Sequence, residues 1–450
     1  VKYEVVIGIE VHTELDTRSK LFCGCSTTFG APPNTQICPV CTAQPGSLPV
    51  MNRRGFELSL RTAVALHCEI APRTIFDRKN YYYPDLPKNF QISQLYANPG
   101  ERGYVEIDVD GETRRVGIHN VHLEEDAGKL IHPEDAASLI GSDGEAPPAG
   151  MTLVDLNRTG IPLLEIVTDP DMRSVAEAKA YMDTLLGILR TLEVSDCKMQ
   201  EGSVRFEPSI SLRPFGQEEF GSRVEIKNVN SISTVVKILE YEVRRQTAAL
   251  DHGEPIARTT SLWDDHLGRT VPMRSKEMAQ DYRYFPEPDL VPIDIDAAWV
   301  ERVRGELPEL PLARRRRFVA DLGLPDYDAG VLVDDKALAD YFEACLALGA
   351  EAKTVSNWLM VTVLRELNAR EIRIGELGVP PERLCELIGL VTNGAIAQNT
   401  GKSVFADMAE TGRTAAEIVD EQGLRQVSDA GELEAVVLQV LRDNPQAVDD

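Results

Sequence analysis

A chain of 450 residues with 43% hydrophobic and 26% charged residues has the composition of a folded globular protein, long enough for two or three domains that each bury a core. Its 47 basic and 72 acidic residues leave a formal net charge of -25, which excludes loose, sequence-independent attraction to nucleic acid and confines any RNA contact to local basic patches. No apolar run approaches the ~18 residues of a membrane span, so no membrane contact is expected. The opening VKYEVVIGIEVH enters an alternating strand without the pattern of a signal peptide, which makes the cytoplasm the expected compartment.

From residue 1 to about 295, period-two stretches such as VVIGIEVH, GYVEIDVDG and SVRFEPSISLR, punctuated by Gly and Pro, predict strands and turns. Helical periodicity interrupts them at about 53 to 67, 174 to 192 and 234 to 250. This is the pattern of a mixed α+β domain. From about 296 to 381 the periodicity is helical throughout, through AAWVERVRGEL, LARRRRFVADLG and TVSNWLMVTVLRELNAR, and predicts a second, all-helical domain. After GVPPERL, residues 382 to 450 predict a small helical tail. The run Arg314 to Arg317 has two readings, a basic RNA patch or the solvated face of a helix.

Cys23, Cys25, Cys38 and Cys41 form C-x-C, twelve residues, then C-x-x-C, a spacing that lets two knuckles present four thiolates to one zinc ion. Gly24 and Pro39 shape the knuckles, and Pro32, Pro33 and Asn34 shape the loop between them. With four protein ligands no position stays open, so the role predicted is structural. Two disulfides, disfavoured in a reducing compartment, or four unrelated thiols are the alternatives. Cys68, Cys197, Cys345 and Cys385 stand in apolar or helical contexts and read as core residues.

In the first strand, alternation puts Gly8, Glu10, His12 and Glu14 on one face and Ile7, Ile9 and Val11 on the other. An imidazole and a carboxylate two residues apart can grip one divalent cation, although a polar strand face ordinarily meets water. His122, Glu124, Glu125 and Asp126 close a second strand, with Glu125 pointing opposite to Glu124 and Asp126. A third strand carries Arg205, Glu207, Ser209, Ser211 and Arg213 on one face, and after a turn Arg223, Glu225 and Lys227 follow. Acidic groups for magnesium beside Arg and Lys for phosphates are what phosphoryl transfer requires. Residues 77 to 94 add Arg78, Lys79, Lys88, Tyr81, Tyr82 and Tyr83, suited to stacking on an unpaired RNA end or, equally, to packing on a core. Asp281 to Tyr284 admit the same two readings. No complete P-loop is present, since Gly401, Lys402 and Ser403 follow Ile396 where the cradle needs glycine, and no G-x-S-x-G elbow, kinase set or dinucleotide fingerprint occurs.

At VVIGIEVHTEL, FCGCSTTFGAPPNT with CPVC, PGSLPVMN, FDRKNYYYPDLPKNFQISQ, HLEEDAGK, LVDLNRTGIPLLEIV, VSDCKMQEGSVR, EIKNVNS and DYRYFPEPDL the chain resembles the B subunits of the glutamyl/aspartyl-tRNA amidotransferases, along nearly its whole length. The resemblance implies a cradle-shaped catalytic domain, a helical domain and a tail that grips tRNA. It implies ATP and magnesium as well: ATP phosphorylates the side-chain carboxylate of Glu on glutamine tRNA, or Asp on asparagine tRNA, and ammonia displaces the phosphate. The ammonia is expected from an amidase-type A subunit held with a small C subunit. Carried onto this sequence, the resemblance makes Glu10, His12 and Glu125 the magnesium ligands, with Glu124 and Glu207 beside them in the catalytic set. Strand faces make Arg205, Arg213 and Lys227 candidates for the ATP phosphates, and Lys79, Tyr81, Tyr82 and Lys88 are candidates for the tRNA acceptor end. Two departures stand out. Phe206, Glu207, Pro208 and Ser209 replace a Cys-Asp-Ala-Asn or Cys-Asp-Val-Asn run, and the tail is expected to lack a further basic stretch after Asp450. A zinc-bearing RNA adaptor without catalysis and an ATP-dependent ligase acting on a small carboxylate are the rival readings.

Overall fold

The computed structural model describes residues 2–131, 151–227, 229, 231–273 and 281–426. The chain divides into two compact units between Leu310 and Pro311. In the first, the strands are β1 (Tyr3–Glu14), β2 (Glu69–Ile70), β3 (Arg73–Thr74), β4 (Asp77–Asn80), β5 (Phe90–Ser93), β6 (Gly100–Val109), β7 (Glu112–Glu125), β8 (Lys129–Ile131), β9 (Leu153–Asp155), β10 (Pro162–Thr168), β11 (Val204–Pro214), β12 (Val224–Lys227), β13 (Thr259–Asp264), β14 (Arg269–Pro272), β15 (Phe285–Pro286) and β16 (Ile293–Asp294). Nine of them form one sheet in the order β14-β13-β12-β11-β1-β10-β7-β6-β2. The joins are antiparallel except for the parallel pair β12 and β13.

The first strand, richest in β-branched alternation, takes the middle of that sheet, and its two faces differ as its sequence demands. Ile7, Ile9 and Val11 meet Phe206, Ile210, Leu164 and Ile166 in a buried apolar layer. Helices Arg53–Ala65, Val175–Thr191 and Ile232–Asp251 close that layer through Phe56, Tyr181, Leu185, Leu189, Ile238 and Leu239. Each such side chain contributes roughly 1.5–3 kcal/mol by leaving water. The helices start where their caps allow: Asn52, Ser174 and Ser231 each accept a hydrogen bond from a first-turn N–H. All three lie where the periodicity predicts.

A one-residue register shift where Val167 and Thr168 pair with Asn120 and Ile118 lets β7 keep Ile118 and Val121 on the apolar side and Asn120, His122 and Glu124 on the other. The first unit also runs past residue 295. The helix Ala297–Gly305, capped by Asp296, sets Trp299 against Phe56 with ring centroids 5.7 Å apart and buries Val303 in the first core. Its helical period alone marked it as the start of the helical domain, but its apolar stripe belongs to the sheet side.

The second unit is helical over its described residues, from Pro311–Leu322 to Ala415–Glu421. One cluster, from Phe318 through Phe342, Trp358 and Leu387 to Phe405 and Val419, draws residues from both sides of the expected break at 381. The arginine run lies on the first of these helices. Arg314 pairs with Asp340 and Glu343, Arg315 with Asp326 and Arg317 with Glu343, so these guanidinium groups tie neighbouring helices together. Gly401 sits inside the helix Gln398–Thr411.

Candidate active site and zinc knuckle

Strand register carries the acidic residues together. His12 pairs with Arg205 on β11 and with Glu165 on β10, and Glu165 pairs in turn with His122 on β7. One step along, Glu10 pairs with Glu207. The outcome is two neighbouring groups on the polar face. In one, Glu165 Oε2 lies 3.4 Å from His12 Nε2 and 3.0 Å from His122 Nε2, while Glu124 Oε1 lies 3.8 Å from His12. In the other, Glu10, Glu207 and Glu225 each bring an oxygen within 4.8 Å of one another. Lys227 Nζ bonds Glu207 at 2.6 Å and Glu225 at 3.0 Å, and Arg223 reaches Glu225 at 2.9 Å and Glu10 at 3.9 Å.

Burial, then the neighbouring charges of Glu165, Glu225 and Glu207, raises the Glu10 carboxyl above its ordinary range. Burial works against a charged His12, but the hydrogen bond and charge of Glu165, with Glu124 and Glu207 beyond, outweigh it and bring the imidazole up to about 9. Burial likewise opposes ionisation of Glu165, yet His122 and His12 hold that carboxyl well below its usual value. His12 Nδ1 is buried and has no hydrogen-bond partner among the described residues. Carboxylates gathered on one patch fit a hard divalent cation such as magnesium, and an imidazole among carboxylates fits a divalent cation more generally. His12, Glu124 and Glu165 make one possible ligand set, and Glu10, Glu207 and Glu225 another.

The expected trio Glu10, His12 and Glu125 is divided by this geometry. Glu10 and His12 belong to the two neighbouring groups, whereas Glu125 follows the strand alternation and pairs with Lys88, accepting also from Ile92 N–H at 3.0 Å. Lys88 is thereby held by Glu125. The cations expected at phosphates are spread out. Lys227 stands over Glu207, and Arg205 bonds Asp126 at 3.2 Å. Arg213, eight residues and so about 26 Å further along β11, pairs with Glu4 and lies 5.1 Å from the Phe220 ring. Lys79 sits over the rings of Tyr282, at 5.2 Å, and Tyr81, at 6.0 Å. Its burial disfavours the charge, but Glu124, Tyr284 and Glu165 raise its pKa. Tyr81, Tyr282 and Tyr284 form an edge-to-face row, while Tyr82 is 80% exposed.

Glu165 was missed from sequence. It is the only charged residue of PLLEIVT, and its phase in that strand, opposite His12, was the signal available.

The four expected cysteines meet, with sulfur atoms all within 4.8 Å of one another. The loop between the pairs is anchored where Asn34 donates to Val154 O at 2.9 Å and Gln36 N–H donates to Asn157 Oδ1 at 2.8 Å. Asn34 takes a left-handed φ of 59°, which Asn tolerates. The fully buried Lys20 donates to Cys41 Sγ at 3.6 Å and to Leu156 O at 3.2 Å. Hydrogen bonding from Cys23 chiefly, against burial and with help from Cys38 N–H and Lys20, brings the Cys41 thiol down to about 4. Four sulfur donors with no carboxylate among them fit zinc. Cys68, Cys197 and Cys345 are buried in the cores and Cys385 is half-buried. No helix among the described residues is long and apolar enough to cross a membrane.

The GatB/GatE catalytic domain matches residues 5–301, and the GatB domain matches residues 340–450. The B subunit of an aspartyl/glutamyl-tRNA(Asn/Gln) amidotransferase from Moorella thermoacetica is 53% identical over 449 residues, covering 100% of this chain and 92% of the relative. Those of Brevibacillus brevis and Thermodesulfovibrio yellowstonii are 49% and 48% identical, each covering 100% of this chain and 91% of the relative. The chain therefore belongs to the B-subunit family of the aspartyl/glutamyl-tRNA amidotransferases, and so to a ligase that joins carbon to nitrogen.

Proposed function

We propose that the polar face around Glu10 and His12 activates the side-chain carboxylate of glutamate on glutamine tRNA, aspartate on asparagine tRNA, or both. A carboxylate oxygen attacks the γ-phosphorus of ATP, and ADP leaves with the bonding electron pair. Ammonia then attacks the acyl carbon, the amide forms, and inorganic phosphate departs. The first step is needed because a carboxylate oxygen is a poor leaving group until it carries phosphate. Magnesium, when bound at the acidic groups, supplies the positive charge that a triphosphate needs beside carboxylates.

The chain's own groups divide the remaining work. Lys227 and Arg223, already positioned over Glu207, Glu225 and Glu10, neutralise phosphate oxygens, and Arg205 extends the cationic row past His12. Glu165 keeps the two imidazoles oriented. Lys79 and the row Tyr81, Tyr282 and Tyr284 offer ammonium and ring faces to the unpaired acceptor end, with the exposed Tyr82 beside them. The zinc knuckle holds in place the loop that Pro32 and Gln36 bond to Asn157. The glutamine-derived ammonia comes from an amidase-type partner held with a small third chain, in the cytoplasm, since no glutaminase motif is present in this sequence.

The observation that carries this reading is the pair of metal-competent groups on adjacent rungs of one strand face, with Lys227 beside them. A noncatalytic adaptor would leave them idle. In the reconstituted complex, Glu10→Gln is expected to lower phosphate release dependent on misacylated tRNA by about 100-fold or more. Release at the rate of the unsubstituted complex would overturn the assignment.

A further inference from the structure

Burying an ammonium is costly unless negative charge lies beside it. Lys20 is 0% exposed, and no carboxylate among the described residues pairs with it. Its Nζ donates to Cys41 Sγ at 3.6 Å and to Leu156 O at 3.2 Å, so the negative charge it meets is that of sulfur. The same sulfur accepts the Cys38 N–H at 3.2 Å. Four thiolates around one divalent zinc in turn leave an excess of negative charge, held here by one buried and three half-buried cysteines. The lysine also stands where the knuckle meets the acidic strands. Its backbone N–H donates to Cys25 O at 2.9 Å, the Leu21 N–H donates to Gly160 O at 2.8 Å, and the Gly160 N–H donates to Asp126 O at 2.8 Å. Gly160, at a left-handed φ of 86°, has no side chain to keep these segments apart. A Cβ there would touch Lys20 Cδ at 3.6 Å, Cys41 Cβ at 3.7 Å and Glu125 Oε2 at 3.7 Å, so lysine stem, knuckle and carboxylate converge on one bare backbone position.

We infer that Lys20 is a positioning residue of the zinc site: its ammonium offsets the charge of the zinc-bound thiolates from outside the coordination shell, and its backbone registers the knuckle against the end of β7 at Glu125 and Asp126. Zinc and lysine are thereby coupled, since each supplies what the other's burial requires. The loss of the ammonium is felt most with zinc bound, where the negative charge must be kept, whereas a lysine that only filled space would matter equally with and without the metal. The registration follows from the bonds themselves: residues 20 and 21 hold the first knuckle through Cys25 O and the second through Cys41 Sγ, and Gly160 hands their position on to Asp126. Zinc occupancy thus bears on the strand end that carries Glu124 and Glu125, although no zinc ligand belongs to the acidic groups.

The test uses the full chain. Lys20→Met keeps most of the side chain's length and removes its charge. The zinc dissociation constant of this variant, measured by competition with a chromophoric chelator, is expected to rise about 10–100-fold. Its melting temperature is expected to fall further below that of the unsubstituted chain with zinc bound than after chelation. A dissociation constant within about twofold of the unsubstituted chain overturns the inference, and so does an equal fall in melting temperature in the two states. The backbone link is measured in the unsubstituted chain, whatever the fate of the variant. Removing zinc is expected to speed hydrogen exchange about tenfold or more in the peptides that hold Leu21 and Gly160, and unchanged exchange there overturns the link. The inference rests on zinc at the four sulfurs, and that premise fails separately, through elemental analysis that finds no zinc in the unsubstituted chain.

Discussion

Glu165 is held ionised between two imidazoles, and this has a measurable consequence for His12. Its 3.4 Å contact offsets the desolvation that would otherwise lower the His12 pKa. Because the folded value, about 9, lies above the ordinary value of about 6.5, the interaction stabilises the fold fully below pH ~6.5. That contribution is lost as pH rises through about 9. In metal-free protein, nuclear magnetic resonance titration is expected to find the His12 midpoint near 9, and Glu165→Gln is expected to lower it by about a unit or more. A midpoint indifferent to that substitution would remove Glu165 from the site. At this scale the sequence was partly legible. Alternation alone put Glu10 with His12 and Glu207 with Arg205 on single faces, and the two rows met as adjacent strands. It did not reveal Glu165, because one carboxylate in an apolar strand gains meaning only when its cross-strand neighbours are known, and pairing is a tertiary fact.

The elements were more legible than their partners. Three helices and the long strands follow from periodicity, since apolar spacing determines which face each must bury. Sheet order does not follow from it, and neither did the fate of Glu125, whose phase was correctly opposite to Glu124 but whose lysine partner comes from another segment, at residue 88. The zinc knuckle shows the difference clearly. Spacing announced its four ligands, whereas the buried Lys20 beside Cys41 carried no local signal. Between Cys25 and Cys38 the chain has no regular strand or helix, and its attachments include polar bonds from residues 31–36 to residues 154–157, a bond from the Thr27 hydroxyl to Thr17 O and a bridge between Ser26 and Ser19. Cys38→Ser is therefore expected to lose stoichiometric zinc and to open this loop to protease, and strong chelation of the unsubstituted protein should do the same. Retained zinc, measured by elemental analysis of the purified variant, would refute the four-sulfur site.

At the scale of the whole chain, the change from strand to helix near residue 296 was legible, but it is not where the core changes. Helical period identifies an element type; only the apolar stripe's destination identifies its unit, and Trp299 and Val303 go to the sheet side. The consequence is thermodynamic. The first cluster of buried residues extends to Val303 and the second begins at Phe318, with Leu307 and Leu310 still packed on the first. Two cores that share no side chain among the described residues give each unit its own cooperative melting, provided each buries enough apolar surface, and both exceed the ~40 residues below which staples become necessary. Calorimetry of the full chain is thus expected to resolve two transitions. Phe206 lies wholly buried behind Glu207 on β11, and Phe342 lies wholly buried in the helical unit, 5.0 Å from Phe318 by ring centroid. Replacing either by alanine removes a ring from a filled core, at a cost of about 3–5 kcal/mol. Phe206→Ala should lower one transition and leave the other in place, and Phe342→Ala should do the reverse. A single transition moved by both substitutions would mean that the two cores melt as one, and the division at Leu310 would then describe packing alone.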